Sequence, residues 1–424
     1  MSEKKEQLVI GLTGPFGSGC STLGRVLEQD YGFKVYSLSR ILKEEWSAKE
    51  GKPVEEASRK ELQRFGNQMR LDVNFHVWAE KVFKQSEEDN AINDSHLVYD
   101  SIRNTAEVDF FRKKFPNFLL IAVDADESDR WQRVEESYDR SHKVFKEDDN
   151  RDRNEEGIPH GQQVALCVDD ADVLIRNDDD PMVTTELGWM EKLSDKMKDF
   201  IELFEGKLRV PYPEETYMSM AYTASLMSQC FKRQVGAVIL DELGRVVSIG
   251  FNENPPPLKS CIQEFGDCFR EMYIEGLMNG IHFCPECGHK LERLVYPYDC
   301  PNCQENVYRR IVGDRALGRC SALHAEERAI INAGAQNVKG CSLYVTTFPC
   351  FSCSHKILDV GIRTIYYVES YPDLDSLHVF ERAGTVRLEK FEGVKARAYF
   401  RFFSHWRRDQ ETRMQTKRAR SQRS

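Results

Sequence analysis

His324 and Glu326 stand two positions apart, and Cys350 and Cys353 follow as a Cys-x-x-Cys pair directly behind Pro349. An imidazole and two thiolates occupy three corners of a tetrahedral zinc ion and leave the fourth for water. Zinc lowers the pKa of that water toward neutrality, which makes a hydrolytic nucleophile available at pH 7. Glu326 is placed beside such a metal without ligating it and is free to carry protons. The competing reading is a structural zinc site closed by a fourth thiol, Cys320 or Cys341, which leaves the glutamate without a use.

Four more cysteines form two further pairs, Cys284/Cys287 and Cys300/Cys303, with twelve residues between the pairs. Two knuckles of this kind close a four-thiolate site that has no position left for water, so its expected role is structural zinc. So short a ribbon has little core, and metal binding supplies much of its folding free energy. A rubredoxin-like iron site and free thiols are the alternatives. His282 and His289 nearby read as surface histidines, and Cys230, Cys261 and Cys268 as buried thiols outside both sets.

The third chemical feature is a glycine loop, residues 14–22 (GPFGSGCST), set between an apolar strand at 8–12 and a helical stretch with Leu23, Val26 and Leu27 on one face. Strand, glycine loop and helix make the setting in which backbone N–H groups cradle a phosphate. The expected nucleotide contacts are Gly14, Gly17, Gly19 and Ser21. The pattern GxxxxGK[ST] is met at Gly14, Gly19 and Ser21, but Cys20 stands where lysine would meet the β- and γ-phosphates. A neutral thiol weakens phosphoryl transfer and leaves binding without catalysis, or a purely structural role.

These groups must be positioned by elements that the apolar pattern locates. Strands alternating with helices predict an α/β chain of two domains. The first, 1–207, is a P-loop domain on a parallel sheet. The second, 208–400, is an α/β/α domain with strands at 235–240, 246–250, 342–346, 363–368 and 386–391, and with His324 and Cys350 at helix starts. Residues 255–318 are an insertion carrying the four-cysteine zinc ribbon. Charge-dense 145–157 reads as a lid-like loop.

The tail, 401–424, is basic, with seven Lys/Arg against two acids over 406–424. It reads as a solvated terminus, or as a contact for nucleic acid or an acidic partner. The net charge of −10 disfavours nonspecific nucleic-acid binding by the chain as a whole. No run approaches the eighteen apolar residues of a membrane span, and the N-terminus lacks a signal-peptide layout. Cys-x-x-Cys pairs then read as metal ligands in a reducing compartment, and the expected location is cytoplasmic.

His324-x-Glu326 with Pro349-Cys350-x-x-Cys353 resembles the signature of the zinc-dependent nucleobase deaminases. The stretches SLMSQCFKRQVGAVIL (225–240), GFNENP (250–255), HAEERAIINAG (324–334), SLYVTTFPCFSC (342–353) and GIRTIYYVESYPD (361–373) narrow the resemblance to the deoxycytidylate deaminase branch. That resemblance implies hydrolytic deamination at C4 of a cytosine base, with zinc as cofactor, Glu326 as proton carrier, and homo-oligomeric assembly. It also implies substrate contacts from Asn252, Arg233 and Tyr371. Residues 7–205 resemble nucleotide kinases through the glycine loop, VYDSIRN (98–104) and LLIAVDADESDRWQR (119–133), with Asp100 in the place of a metal-side carboxylate. The combined architecture resembles the bacterial anti-phage dCTP/dCMP deaminases. This implies a deoxycytidine nucleotide substrate, a nucleotide or other regulator at the P-loop domain, an RNA regulator as a further partner, and no membrane. dCMP deamination for nucleotide supply and editing of RNA or DNA are the alternatives.

Overall fold

The computed structural model describes residues 7–92, 95–153, 159–178, 185–207, 209–291, 300–303, 307, 320–369 and 374–404. The chain forms two compact units. One holds Met1–Ser219, Val368–Tyr371 and Phe391–Ser424, the other Met220–Tyr367 and Pro372–Lys390.

The first unit is built on strands β1 (Val9–Thr13), β2 (Lys34–Ser37), β3 (Leu97–Asp100), β4 (Phe118–Asp124), β5 (Val173–Arg176) and a short β11 (Gly393–Val394), in the order β11-β5-β4-β1-β3-β2. Every residue of β1 and β4 is buried. Continuous burial on both faces is what a parallel sheet covered by helices demands, and β1 to β5 are all parallel. Ile10, Leu12, Val98, Ile121 and Ile175 pack with Leu23, Val26 and Leu27 of helix Cys20–Tyr31 and with Leu193 and Met197 of helix Glu186–Phe204.

Two local structures here differ from the sequence reading. Of the residues expected as a lid-like loop, those from 145 to 153 instead lie in helix His142–Arg153, and 154–157 fall outside the described residues. Its acidic side turns inward because arginines from elsewhere in the unit neutralise it: Arg130 holds Asp149 through two bonds of 2.6 and 2.9 Å, while Arg103 (2.9 Å) and Arg59 converge on fully buried Asp152.

The second difference is β11. The expected strand at 386–391 ends in the structure at Lys390, and the chain then enters the first unit, whereas the sequence reading kept residues up to 400 in the second domain. β11 pairs antiparallel with β5, and Val394, Ala398 and Phe403 complete the first unit's core. A two-residue strand has no periodicity to read. Its anchor is buried Glu215, which accepts from Arg209 (2.6 and 2.7 Å), from the Tyr212 N–H (2.8 Å) and from the Val394 N–H (2.9 Å). Removing one partner of such a pair leaves a poorly solvated charge and costs about 3–5 kcal/mol. Glu215→Ala is therefore expected to lower the urea midpoint of the first unit markedly, read by circular dichroism, while Glu202→Ala on the surface leaves it in place.

The second unit carries β6 (Gly236–Leu240), β7 (Val246–Phe251), β8 (Ser342–Val345), β9 (Thr364–Tyr367) and β10 (Arg387–Lys390), ordered β10-β9-β8-β6-β7. β6 is antiparallel to both its neighbours, and β8, β9 and β10 run parallel, joined through helices Phe351–Asp359 and Leu374–Ala383. Helix Ala325–Ala333 lies directly on β7. A Cβ at Gly250 would come within 2.1 Å of the Ala325 carbonyl oxygen, so only glycine lets this helix settle there. Among the described residues, no helix is long and apolar enough to cross a membrane.

Candidate active site and metal centres

His324 is the N-cap of helix Ala325–Ala333 and Cys350 the N-cap of helix Phe351–Asp359, with Cys353 in the latter's first turn. The two helix starts meet, so that His324 Nδ1 lies 3.3 Å from Cys350 Sγ and 3.4 Å from Cys353 Sγ. Around a tetrahedral zinc with ordinary Zn–N and Zn–S bonds, nitrogen and sulfur stand about 3.6 Å apart. The donor set therefore fits zinc in both chemistry and spacing. The positive ends of the two helices favour thiolates. A bond from Cys353 and the adjacent His324 hold the Cys350 thiol at about 4, far below the usual thiol range.

Glu326 occupies the first turn after His324 and is only 4% exposed. Burial pushes its carboxyl up to about 7, His324 opposing and the Cys350 thiolate adding to the rise. Three donors leave the fourth corner of a tetrahedral ion to water, and the buried Glu326 carboxyl stands beside them.

Sequence reasoning missed the residue that locks the two ligand helices together. Glu327 accepts from the His324 backbone N–H at 2.8 Å with one oxygen and pairs with Lys356 of the other helix through the second. The signal was present, since an acid three residues after an N-cap is the reciprocal half of a capping box. Ser376 Oγ donates to the Pro349 carbonyl at 2.6 Å and fixes the turn entering the cysteine helix.

Of the residues expected to touch substrate, Asn252 is buried and both ends of its amide are engaged. Oδ1 accepts from the Val235 N–H (2.7 Å) and Nδ2 donates to the Arg233 carbonyl (2.9 Å). It thus holds the loop that carries Arg233, an exposed residue at the entrance to β6. Tyr371 and the basic tail at 405–424 lie outside the described residues.

The four ribbon cysteines converge, with Cys284 Sγ 3.7 Å from Cys303 Sγ and Cys287 Sγ 3.7 Å from Cys300 Sγ. Tetrahedral zinc thiolate gives edges of about 3.8 Å. The apolar support is slight: Ile274, Met278, Leu291 and Val307 pack around Cys284 and Cys300. His282 and His289 contribute backbone carbonyls, to Leu291 and Cys284, rather than ring nitrogens.

In the first unit the glycine loop is held from outside by its carbonyls. Arg130 donates to Phe16 (3.1 Å), Arg133 to Gly17 (3.2 Å) and Asn177 to Ser18 (2.8 Å). Gly17 (φ 81°) and Gly19 (φ 101°) take left-handed conformations, and a Cβ on Gly14 would strike the Val123 carbonyl at 2.1 Å. Ser21 Oγ donates to Asp100 at 2.9 Å, which joins an expected phosphate contact to the carboxylate in the metal-side place. Burial and then Asp100 push the Cys20 thiol up to about 12, so it stays neutral.

The sequence profile of the cytidine and deoxycytidylate deaminase zinc-binding region matches residues 211–369, and that of an AAA domain matches residues 13–152. The deoxycytidylate deaminase of Saccharomyces cerevisiae is 33% identical over 213 residues, 49% of this chain and 52% of its own length. That of Schizosaccharomyces pombe is 30% identical over 45% of this chain and 44% of its own. The chain thus spans about half the length of these two relatives. The deoxycytidylate deaminase of Enterobacteria phage T2 is 30% identical over 37% of this chain and 79% of its own. Among solved structures, dCMP deaminase of cyanophage S-TIM5 in apo form aligns over 43% of this chain and 100% of its own at 20% identity, with a TM-score of 0.26.

Proposed function

The chain belongs to the cytidine and deoxycytidylate deaminase family, and on that premise we propose that it hydrolyses the 4-amino group of a deoxycytidine nucleotide, dCTP or dCMP, to give the uracil nucleotide and ammonia. The observation that carries this reading is buried Glu326 beside the three-donor set of His324, Cys350 and Cys353. Zinc held by those three residues supplies a water acidic enough to react near neutral pH. As the water oxygen bonds to C4, Glu326 takes one water proton and delivers it to N3, then carries the remaining hydroxyl proton to the 4-amino group, which leaves as ammonia while the C4=O bond forms. Glu327 and Lys356 keep the two ligand-bearing helix starts in register while this happens. Asn252 shapes the loop that brings Arg233 toward the nucleotide's phosphates.

In the same reading the four ribbon cysteines hold a structural zinc, and Gly14, Gly17, Gly19 and Ser21 form a site for a regulatory nucleotide that is bound but not turned over. Neutral Cys20 in place of the lysine, and pairing of Arg59, Arg103 and Arg130 with Asp149 and Asp152, leave phosphoryl transfer without its usual cation. Deamination rates that respond to no added nucleotide would count against this regulatory site. Lowering of the dCTP pool during phage infection is the use that the two-domain architecture suggests, in a cytoplasmic homo-oligomer. Protection against phage that survives Glu326→Gln would refute that role.

The substrate is tested by uracil-product formation from dCMP, dCTP, CTP and cytidine in parallel. Turnover of dCTP is expected. Turnover confined to dCMP would replace dCTP depletion by precursor supply.

A further inference from the structure

Asp148, Asp149 and Asp152 share one side of helix His142–Arg153, and all three are buried. That side meets cations gathered around the glycine loop. Arg130 joins the two directly, because its Nη1 donates to the Phe16 carbonyl (3.1 Å) and to Asp149 (2.6 Å). The Arg59 guanidinium lies 3.6 Å from the centre of the Phe16 ring and pairs with Asp152, with Asp148 3.9 Å from its Nε. Arg103 donates to the same Asp152 oxygen at 2.9 Å, and Gln63 to the other at 2.6 Å. Burial opposes the charge of Arg103, yet Asp152, Cys20 and Asp100 raise it above its usual range, so this guanidinium is within electrostatic reach of the loop. Asp100 keeps one oxygen, Oδ1, buried and without a hydrogen-bond partner among the described residues. A leftover buried acceptor next to Ser21 marks a cleft shaped for a ligand.

We propose that the acidic side of helix His142–Arg153 is an internal competitor for nucleotide phosphates and holds the glycine-loop site closed until a nucleotide displaces it. This rests on the reading of Gly14, Gly17, Gly19 and Ser21 as a nucleotide site. The exchange is of like for like, since a guanidinium meets carboxylate and phosphate alike through paired N–H donors. Neutral Cys20 adds no cation to the loop. Phosphates must therefore recruit Arg59 and Arg103, and these become available only when Asp152 leaves. The helix is displaceable because its acids crowd one another. Burial raises the Asp149 carboxyl above its usual range against the pull of Arg130, and Asp152 adds to the rise. Nucleotide binding and release of the helix are then one equilibrium, and the apparent affinity is reduced by the small fraction of open chain.

Calorimetric titration of the full chain with ATP and with inorganic tripolyphosphate, each with magnesium, tests this. Asp152→Asn keeps the size of the side chain and removes its charge. It is expected to bind both probes at least about tenfold more tightly than the unaltered chain. Glu147→Gln, on the exposed side of the same helix, should leave both affinities unchanged. Hydrogen exchange of the unaltered chain covers the case in which Asp152→Asn misfolds. ATP should protect residues 14–22 and speed exchange across 142–153. Equal affinities in the unaltered chain and Asp152→Asn, or protection of 14–22 with exchange across 142–153 unchanged, would overturn the proposal and leave the nucleotide site standing. Binding of neither probe by either protein would remove the nucleotide site itself, and the proposal with it.

Discussion

Glu326→Gln is expected to reduce cytosine deamination by about 10²- to 10⁴-fold while leaving the zinc content unchanged. That loss corresponds to about 3–5 kcal/mol of transition-state stabilisation. The amide keeps the volume and part of the hydrogen bonding of the carboxyl, so the helix start and the ligands need not move. It cannot take a proton from water and return it to the ring. The side chain is almost fully buried, which bars solvent from substituting for it as a proton carrier. Rates of ammonia release, measured beside metal analysis on the same preparation, separate the two roles that a residue in this position could have. Unchanged turnover with zinc retained would remove Glu326 from the chemistry. Loss of zinc together with activity would make it a ligand or a support of the ligands.

Cys300→Ser is expected to have the second largest effect, on the insertion rather than on the chemistry. Structural zinc contributes about 10–16 kcal/mol of apparent binding free energy in small zinc domains, and there it is folding free energy. The ribbon's own core of Ile274, Met278, Leu291 and Val307 is far too small to replace that contribution. Serine is a poor zinc ligand, so the variant should lose one zinc ion and become sensitive to protease between about 280 and 305. The sheet β6 to β10 and the His324 centre do not depend on those residues and should persist. Protease resistance equal to that of the unaltered chain would show that the ribbon is held by packing and not by metal.

Much of the site was legible in the sequence because its chemistry is carried by short contiguous motifs. His324 and Glu326 are spaced by one residue, and Cys350 and Cys353 by two, so the helix starts that present them follow from local geometry alone. The same holds for the ribbon pairs and for the glycine loop, whose left-handed Gly17 and Gly19 are demanded by the turn itself. What could not be read depends on partners far away in sequence. The charge-dense segment at 145–157 reads as a lid-like loop until Arg59, Arg103 and Arg130 are brought to Asp149 and Asp152. β11 is two residues long and is defined by Glu215, which precedes it by nearly the whole second unit. Asn252 shows the limit in the opposite direction. The resemblance offered it as a substrate contact, and only the fold reveals that its amide is engaged by the Val235 and Arg233 backbone.

The central claim is hydrolysis at C4 through the His324, Cys350, Cys353 and Glu326 centre. The measurement that tests it most directly is conversion of dCTP and dCMP by the zinc-replete chain in ¹⁸O-labelled water, followed by mass spectrometry of the product base. The account predicts a uracil nucleotide carrying one solvent oxygen at C4 and one ammonia released for each turnover. Unchanged cytosine nucleotides from zinc-replete protein, or a product without solvent oxygen at C4, would contradict it.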